Sequence, residues 1–151
     1  MEWDYNKQLD WNLLEHETHR GLQKLVADLN GVYKREPALH QVDFDGHGFQ
    51  WIDSMNRDNS VLAYVRFAKD PSDFVLVCCN FTPTVYAGYR VGVPSAGSYQ
   101  EIFNSDSTYY GGSNQGNGMG ITSENIEAQQ YEHSVELTLP PLGVTILKKV
   151  S

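Results

Sequence analysis

Cysteine is nearly missing from this chain: its 151 residues hold two, adjacent at Cys78 and Cys79. Neighbours on a strand point to opposite faces, so this pair is not expected to bridge itself. No second pair completes a zinc set. The expectation is two reduced thiols in a cytoplasmic protein. Positive charge is also short, with 11 Lys and Arg against 19 Asp and Glu, a formal net charge of −8. Such a field repels a phosphate backbone, which argues against a nucleic-acid partner and does not hinder an uncharged polymer. Long apolar runs are absent as well: none approaches the ~18 residues that span a bilayer, so no membrane partner is expected. The N-terminal MEWDYNKQLDW has neither a basic start nor an apolar middle, which speaks against a signal peptide.

Catalytic and cofactor motifs are missing too. The glycine-rich stretch YYGGSNQGNGMG, Tyr109 to Gly120, looks at first like a phosphate cradle. A Walker loop needs a lysine followed by serine or threonine, and the stretch has no lysine. A dinucleotide fingerprint needs a strand before it and a helix after it, whereas the flanks here are NSDST and ITSEN. A shaped surface loop with several positive-φ positions is expected instead. His16 and His19 are spaced to share a metal, but no third ligand is indicated, and solvent-exposed histidines are expected. Asp43-Phe44-Asp45-Gly46 is like the start of a calcium loop, yet Ser54 stands where the twelfth, acidic position would be, so a turn is expected. The nucleophile motif G-x-S-x-G does not occur. No catalytic residue, metal or cofactor is therefore assigned.

What the chain does contain is one helix and many short strands. Glu17 to Arg35 carries Leu22, Leu25, Val26, Leu29, Val32 and Tyr33 at steps of three and four, a wide apolar stripe. Thr18 is the expected N-cap, Lys34 and Arg35 suit the C-terminal dipole, and Pro37 ends the helix. Met1 to Leu14 has little periodicity and is expected to be an ordered loop. After Pro37 the period changes to two. Strands are expected at 49–52, 61–67, 74–81, 89–93, 99–103, 134–139 and 144–148, with turns at Met55–Asn59 and Asp70–Asp73. The run FVLVCCNF reads as a central strand covered on both faces. The fold class is mainly β, an antiparallel β-sandwich preceded by a loop and one amphipathic helix.

Six segments in order carry a resemblance: EWDYNKQLDWNLLEHETHRGLQKLVADLN, REPALHQVDFDGHGFQWIDS, NSVLAYVRF, NFTPTVYAGYRVGVP, FNSDSTYYGGSNQGNG and HSVELTLPPLGVTIL. Together they resemble the C-terminal part of bacterial 1,4-α-glucan (glycogen) branching enzymes of the α-amylase superfamily. The resemblance covers nearly the whole chain, and family members continue upstream of it. It implies that residues 1–37 are the end of a (β/α)₈ catalytic barrel, the loop after its last strand and its last helix. Residues 38–151 are then the C-terminal β-sandwich. It implies retaining transglycosylation, with the nucleophile and acid/base on barrel strands outside this chain. The partners implied are an α-glucan such as glycogen or amylose and the catalytic barrel itself.

By the same resemblance Trp3, Asp10 and Trp11 sit near the glucan groove, because loops after barrel strands line the active face. The alternative is that the tryptophans pack the loop onto the barrel. Tyr109 and Tyr110 are candidates for a weak surface glucan site, against a role in packing. A stand-alone carbohydrate-binding or structural module, or the C-terminal part of another superfamily enzyme, are the rival readings. The helix stripe, without a barrel to cover it, is expected to fold back on the sandwich or to drive self-association.

Overall fold

The computed structural model describes residues 4–118 and 120–151. Trp3 and Met119 lie outside the described residues. A short 3-10 turn, Trp11–Glu15, leads into helix α1, Glu17–Arg35. Among the described residues eight strands follow: β1 Phe49–Asn56, β2 Val61–Phe67, β3 Phe74–Asn80, β4 Tyr86–Val93, β5 Ser98–Asn104, β6 Ile121–Thr122, β7 His133–Leu139 and β8 Val144–Lys149. Six form one antiparallel sheet in the order β1-β2-β3-β8-β5-β6, and β4 pairs with β7 in a second. Among the described residues no helix is long and apolar enough to cross a membrane.

Period-two alternation builds the core. Ala63 and Val65 of β2, Phe74, Leu76 and Cys78 of β3, Leu147 of β8 and Tyr99 of β5 point inward. They meet Val91 and Val93 of β4 and Val135, Leu137 and Leu139 of β7. The opposite face of the large sheet is also covered. There Val75, Val77, Phe103 and Ile146 pack against Val32 of α1 and Ala38, with Leu25, Leu39 and Tyr110 beside them. β3 is therefore buried on both sides, as its unbroken apolar run predicts. Cys78 faces the inter-sheet core and Cys79 the helix side; both are free thiols.

The helix bounds agree with the sequence pattern, but its N-cap does not. His16 is the N-cap residue, without a side-chain cap bond, and Thr18 lies inside the first turn, where it cannot cap. β1 runs to Asn56 rather than stopping at Ile52, because two register shifts let it bend while still pairing with β2. The expected turn at Met55–Asn59 is correspondingly displaced. β4 begins at Tyr86, earlier than expected, across a further register shift between Tyr86 and Tyr89.

α1 splits its stripe. Leu25 and Val32 sit on the large sheet, whereas Leu22, Val26, Leu29 and Tyr33 remain exposed. The helix is fastened at both ends. Near its start a Cβ on Gly21 would collide with the Tyr110 carbonyl, so the missing side chain permits the close approach. At its end Lys148 of β8 lies between Glu36, 3.0 Å away, and Asp73. Burial works against the Lys148 charge, but the two carboxylates outweigh it and raise its pKa.

Candidate functional site

The glycine-rich stretch is organised by one carboxylate. Asp106 accepts from the Ser113 N–H at 2.9 Å, the Ser113 hydroxyl at 2.7 Å and the Gln115 N–H at 2.9 Å. Burial opposes ionisation of this group, and the three donors overcome it, holding the carboxyl below its usual range. Asn104 joins in, accepting from the Asp106 N–H and donating to the Gln115 carbonyl. The backbone N–H groups of Ser113 and Gln115 are thus already committed to a built-in anion. The loop is a shaped element on the sandwich with positive φ at Gly111, Asn114, Gly118 and Gly120, as expected.

Tyr109 and Tyr110 separate in role. Both sit on a 3-10 turn, Thr108–Tyr110, that ends on Gly111 at φ +89°, a conformation favouring glycine. Tyr110 packs on Phe103 with ring centroids 5.9 Å apart and donates its hydroxyl proton to Asp28 of α1 at 2.9 Å. Burial first, and then the Asp28 carboxylate, push the Tyr110 pKa up to about 12. Lys24 donates to the same carboxylate at 2.6 Å, and its ammonium lies 5.8 Å from the Tyr110 ring centre and 5.9 Å from that of Tyr109. The Lys24 and Tyr110 donors lower the Asp28 pKa. Tyr110 is therefore engaged in holding the helix. Tyr109 is 78% exposed and forms a wall between two clefts. One, of about 450 Å³, runs past Gly31, Arg35, Glu101 and Asn104; the other, of about 550 Å³, past Thr18, Arg20 and Lys24.

Asp10 and Trp11 lie together at the other side of α1. Both are exposed, and they border a shallow groove of about 540 Å³ with Leu9, Leu13, Leu22 and Val26. Trp11 thus continues the uncovered helix stripe. These two residues and the Tyr109 loop line separate clefts rather than one site.

Sequence reasoning missed an aromatic cluster on the outer side of β1 and β2. Phe49 and Trp51 meet edge to face at 4.9 Å, and Tyr64 closes the group at 5.3 Å from Phe49 and 5.9 Å from Trp51. Phe49 and Trp51 are exposed. The signal was present: two aromatics one residue apart share a face of a strand, and Tyr64 pairs directly with Trp51.

The other polar and thiol groups singled out in the sequence stand apart from these surfaces. Burial drives the Cys78 thiol pKa far up, leaving it unreactive. Asp43 pairs with Arg66 and Asp45 caps the turn at His47, so the two carboxylates do not converge. His16 and His19 are both exposed, with rings 6.0 Å apart. Among the described residues no group of three His, Cys, Asp or Glu side chains is placed to hold a metal ion.

Comparison with known proteins identifies the family. The profile of the alpha amylase C-terminal all-beta domain matches residues 51–150. The chain is 53% identical over 147 residues to a 1,4-alpha-glucan branching enzyme of Methylobacillus flagellatus, covering 97% of this chain and 20% of that protein. It is 50% identical over 147 residues to that of Rhodospirillum rubrum, with the same coverage. Against a Prochlorococcus marinus enzyme of the same name it is 49% identical over 151 residues, all of this chain and 20% of the relative. The chain thus spans about a fifth of the length of the curated relatives it matches. Among solved structures, an alpha-amylase from H. orenii superposes with a TM-score of 0.50 at 16% identity, over 85% of this chain and 20% of that one, a likeness of fold. With both sheets, save the first two residues of β1, inside the matched span, the chain belongs to the alpha amylase C-terminal all-beta domain family.

Proposed function

We propose that this chain is the C-terminal part of a glycogen branching enzyme, which moves a cleaved α-1,4-glucan segment to a 6-hydroxyl and so makes an α-1,6 branch. The observation that carries the reading is identity of about half over essentially the whole chain to proteins so named. The chain supplies support for a catalytic barrel and surfaces for the glucan, and no reacting group. Residues 1–37 belong to the barrel and residues 38–151 to the sandwich. The two-sided helix supports that division: one side of α1 lies on the sandwich and the other carries exposed Leu22, Val26, Leu29 and Tyr33. Incubated with amylose, the purified chain forms no α-1,6 branches, read by debranching and chain-length analysis. Joined to the region that its relatives have beyond it, the same residues support branching. Branching by the chain alone, or a joined enzyme that only hydrolyses, would overturn the assignment.

Glucan contact falls to the exposed rings. Sugar rings offer C–H faces to aromatic planes and hydroxyls to polar neighbours. Tyr109, Trp11 with Asp10, and the Phe49–Trp51–Tyr64 cluster meet that need, whereas Tyr110 is held by Phe103 and Asp28. Such shallow platforms bind weakly, with Kd on the order of a millimolar. Maltoheptaose added to the labelled chain therefore shifts the Trp51 indole resonance, and Trp51→Ala abolishes the shifts around β1 and β2 while leaving those near Tyr109. An unshifted Trp51 indole at saturating maltoheptaose removes the cluster from the binding surface.

A further inference from the structure

Asn117–Gly118 combines a reactive pair of residues with a restraint that only the fold provides. An asparagine followed by glycine is open to attack on its own side chain, because the glycine backbone nitrogen approaches unhindered by a Cβ. Gly118 is exposed, and a Cβ built on it would meet no atom within 4 Å. The Asn117 amide is the opposite, tied down at both ends. Its Nδ2 donates to Glu101 Oε2 at 2.7 Å and to the Thr138 carbonyl at 3.1 Å, and its Oδ1 accepts from the Thr138 N–H at 2.7 Å. Its own N–H donates to Glu101 Oε2 at 3.2 Å.

We propose that Asn117 is a self-modification site, deamidating through Gly118 and kept intact in the folded chain by Glu101 and Thr138. In the reaction the Gly118 nitrogen attacks Asn117 Cγ. The N–Cγ bond forms, the Cγ–Nδ2 bond breaks, and Nδ2 leaves as ammonia with the proton that Gly118 gives up. Water then opens the cyclic imide to aspartate or isoaspartate, with no other reagent. The folded loop rejects the product. An oxygen in place of Nδ2 would face the Glu101 carboxylate and the Thr138 carbonyl with no proton between them, so repulsion replaces two hydrogen bonds. Loss of ammonia makes the conversion one-way, and the repulsion releases the loop between β5 and β6 that Asn117 ties to Glu101 of β5 and Thr138 of β7.

The chain has a second such pair, Asn30–Gly31, inside α1, where the helix commits the glycine N–H to its own ladder. It serves as an internal control. Peptide mapping by mass spectrometry follows both sites at mildly alkaline pH, in the folded chain and in urea. Asn117 converts at least about tenfold more slowly when folded, since its hydrogen bonds must open first. Glu101→Ala, which removes two of the four bonds, speeds conversion at Asn117 in the folded chain and leaves Asn30 unchanged. Asn117→Asp, the product analogue, loses amide-exchange protection across 104–117. Equal rates at Asn117 in folded and unfolded chain, no response to Glu101→Ala, or wild-type protection in Asn117→Asp would each overturn the proposal.

Discussion

Replacing Tyr99 by alanine is expected to cost about 3–5 kcal/mol of folding stability, the range for deleting a large aromatic side chain from a core. Tyr99 is fully buried between the sheets, beside Phe74 at 6.2 Å, and it lies on β5 between the β8 and β6 pairings. Alanine there leaves a void that neighbours on three strands close only in part. It also strips the Ser95 carbonyl of the Tyr99 hydroxyl, which donates to it at 2.6 Å. A domain of this size is stable by about 5–15 kcal/mol, so the loss is a large share of the whole. Urea denaturation reads it as a lower midpoint at unchanged slope. Tyr99→Phe isolates the hydroxyl and should cost about 1 kcal/mol, the net worth of one hydrogen bond. A loss below about 1.5 kcal/mol in Tyr99→Ala would show that the sandwich closes around the gap, contrary to the rigidity expected of a packed interior.

The elements legible in the sequence were those fixed by local periodicity. Helix α1 has the bounds that Pro37 and the apolar stripe imply, and β3 stands out because FVLVCCN is apolar on both faces. What escaped depends on partners distant along the chain. β1 and β4 run past their expected starts or ends because register shifts keep them paired, and a bulge leaves no fixed residue signature. The organising role of Asp106 depends on Ser113 and Gln115 folding back onto it, which no spacing rule announces. Tyr110 and Asp28 are far apart in sequence and meet across the helix–sandwich boundary. The glucan candidates were legible only through the family resemblance. The cluster at Phe49, Trp51 and Tyr64 needed the pairing of β1 with β2 before three scattered aromatics became one surface.

The glycine-rich stretch illustrates how these layers connect. Its sequence predicts a shaped surface loop, and its structure shows that loop acting as a brace. Asp106 gathers the loop, Tyr110 carries it to α1, and Gly21 lets the two backbones meet. The sandwich thereby fixes one side of the helix and leaves the other free for a different body. On the proposed reading, a helix held by a barrel on its other side as well would transmit position between the two through packing alone, with no need for a shared active-site residue.

Charging that free side should separate folding from docking. In Leu22→Glu/Val26→Glu both changes fall on the exposed side of α1, where Leu22 is 60% and Val26 49% exposed. Surface substitutions of this kind usually alter stability by less than about 0.5 kcal/mol each. The chain should therefore keep its urea midpoint and its Tyr110–Asp28 contact, the latter read by amide exchange in α1. Docking is another matter. If the catalytic region of the relatives, produced separately, captures this chain through the stripe, each glutamate loses an apolar contact and gains a buried unpaired charge. A hot-spot residue of that sort is worth at least about 2 kcal/mol, so the pair should weaken capture by about a thousandfold or more. Light scattering checks a second consequence, since any self-association of the wild-type chain through the same stripe should disappear in the variant. Undiminished capture by the catalytic region, with the fold intact, would place the barrel contact elsewhere and leave α1 as a helix of the sandwich alone.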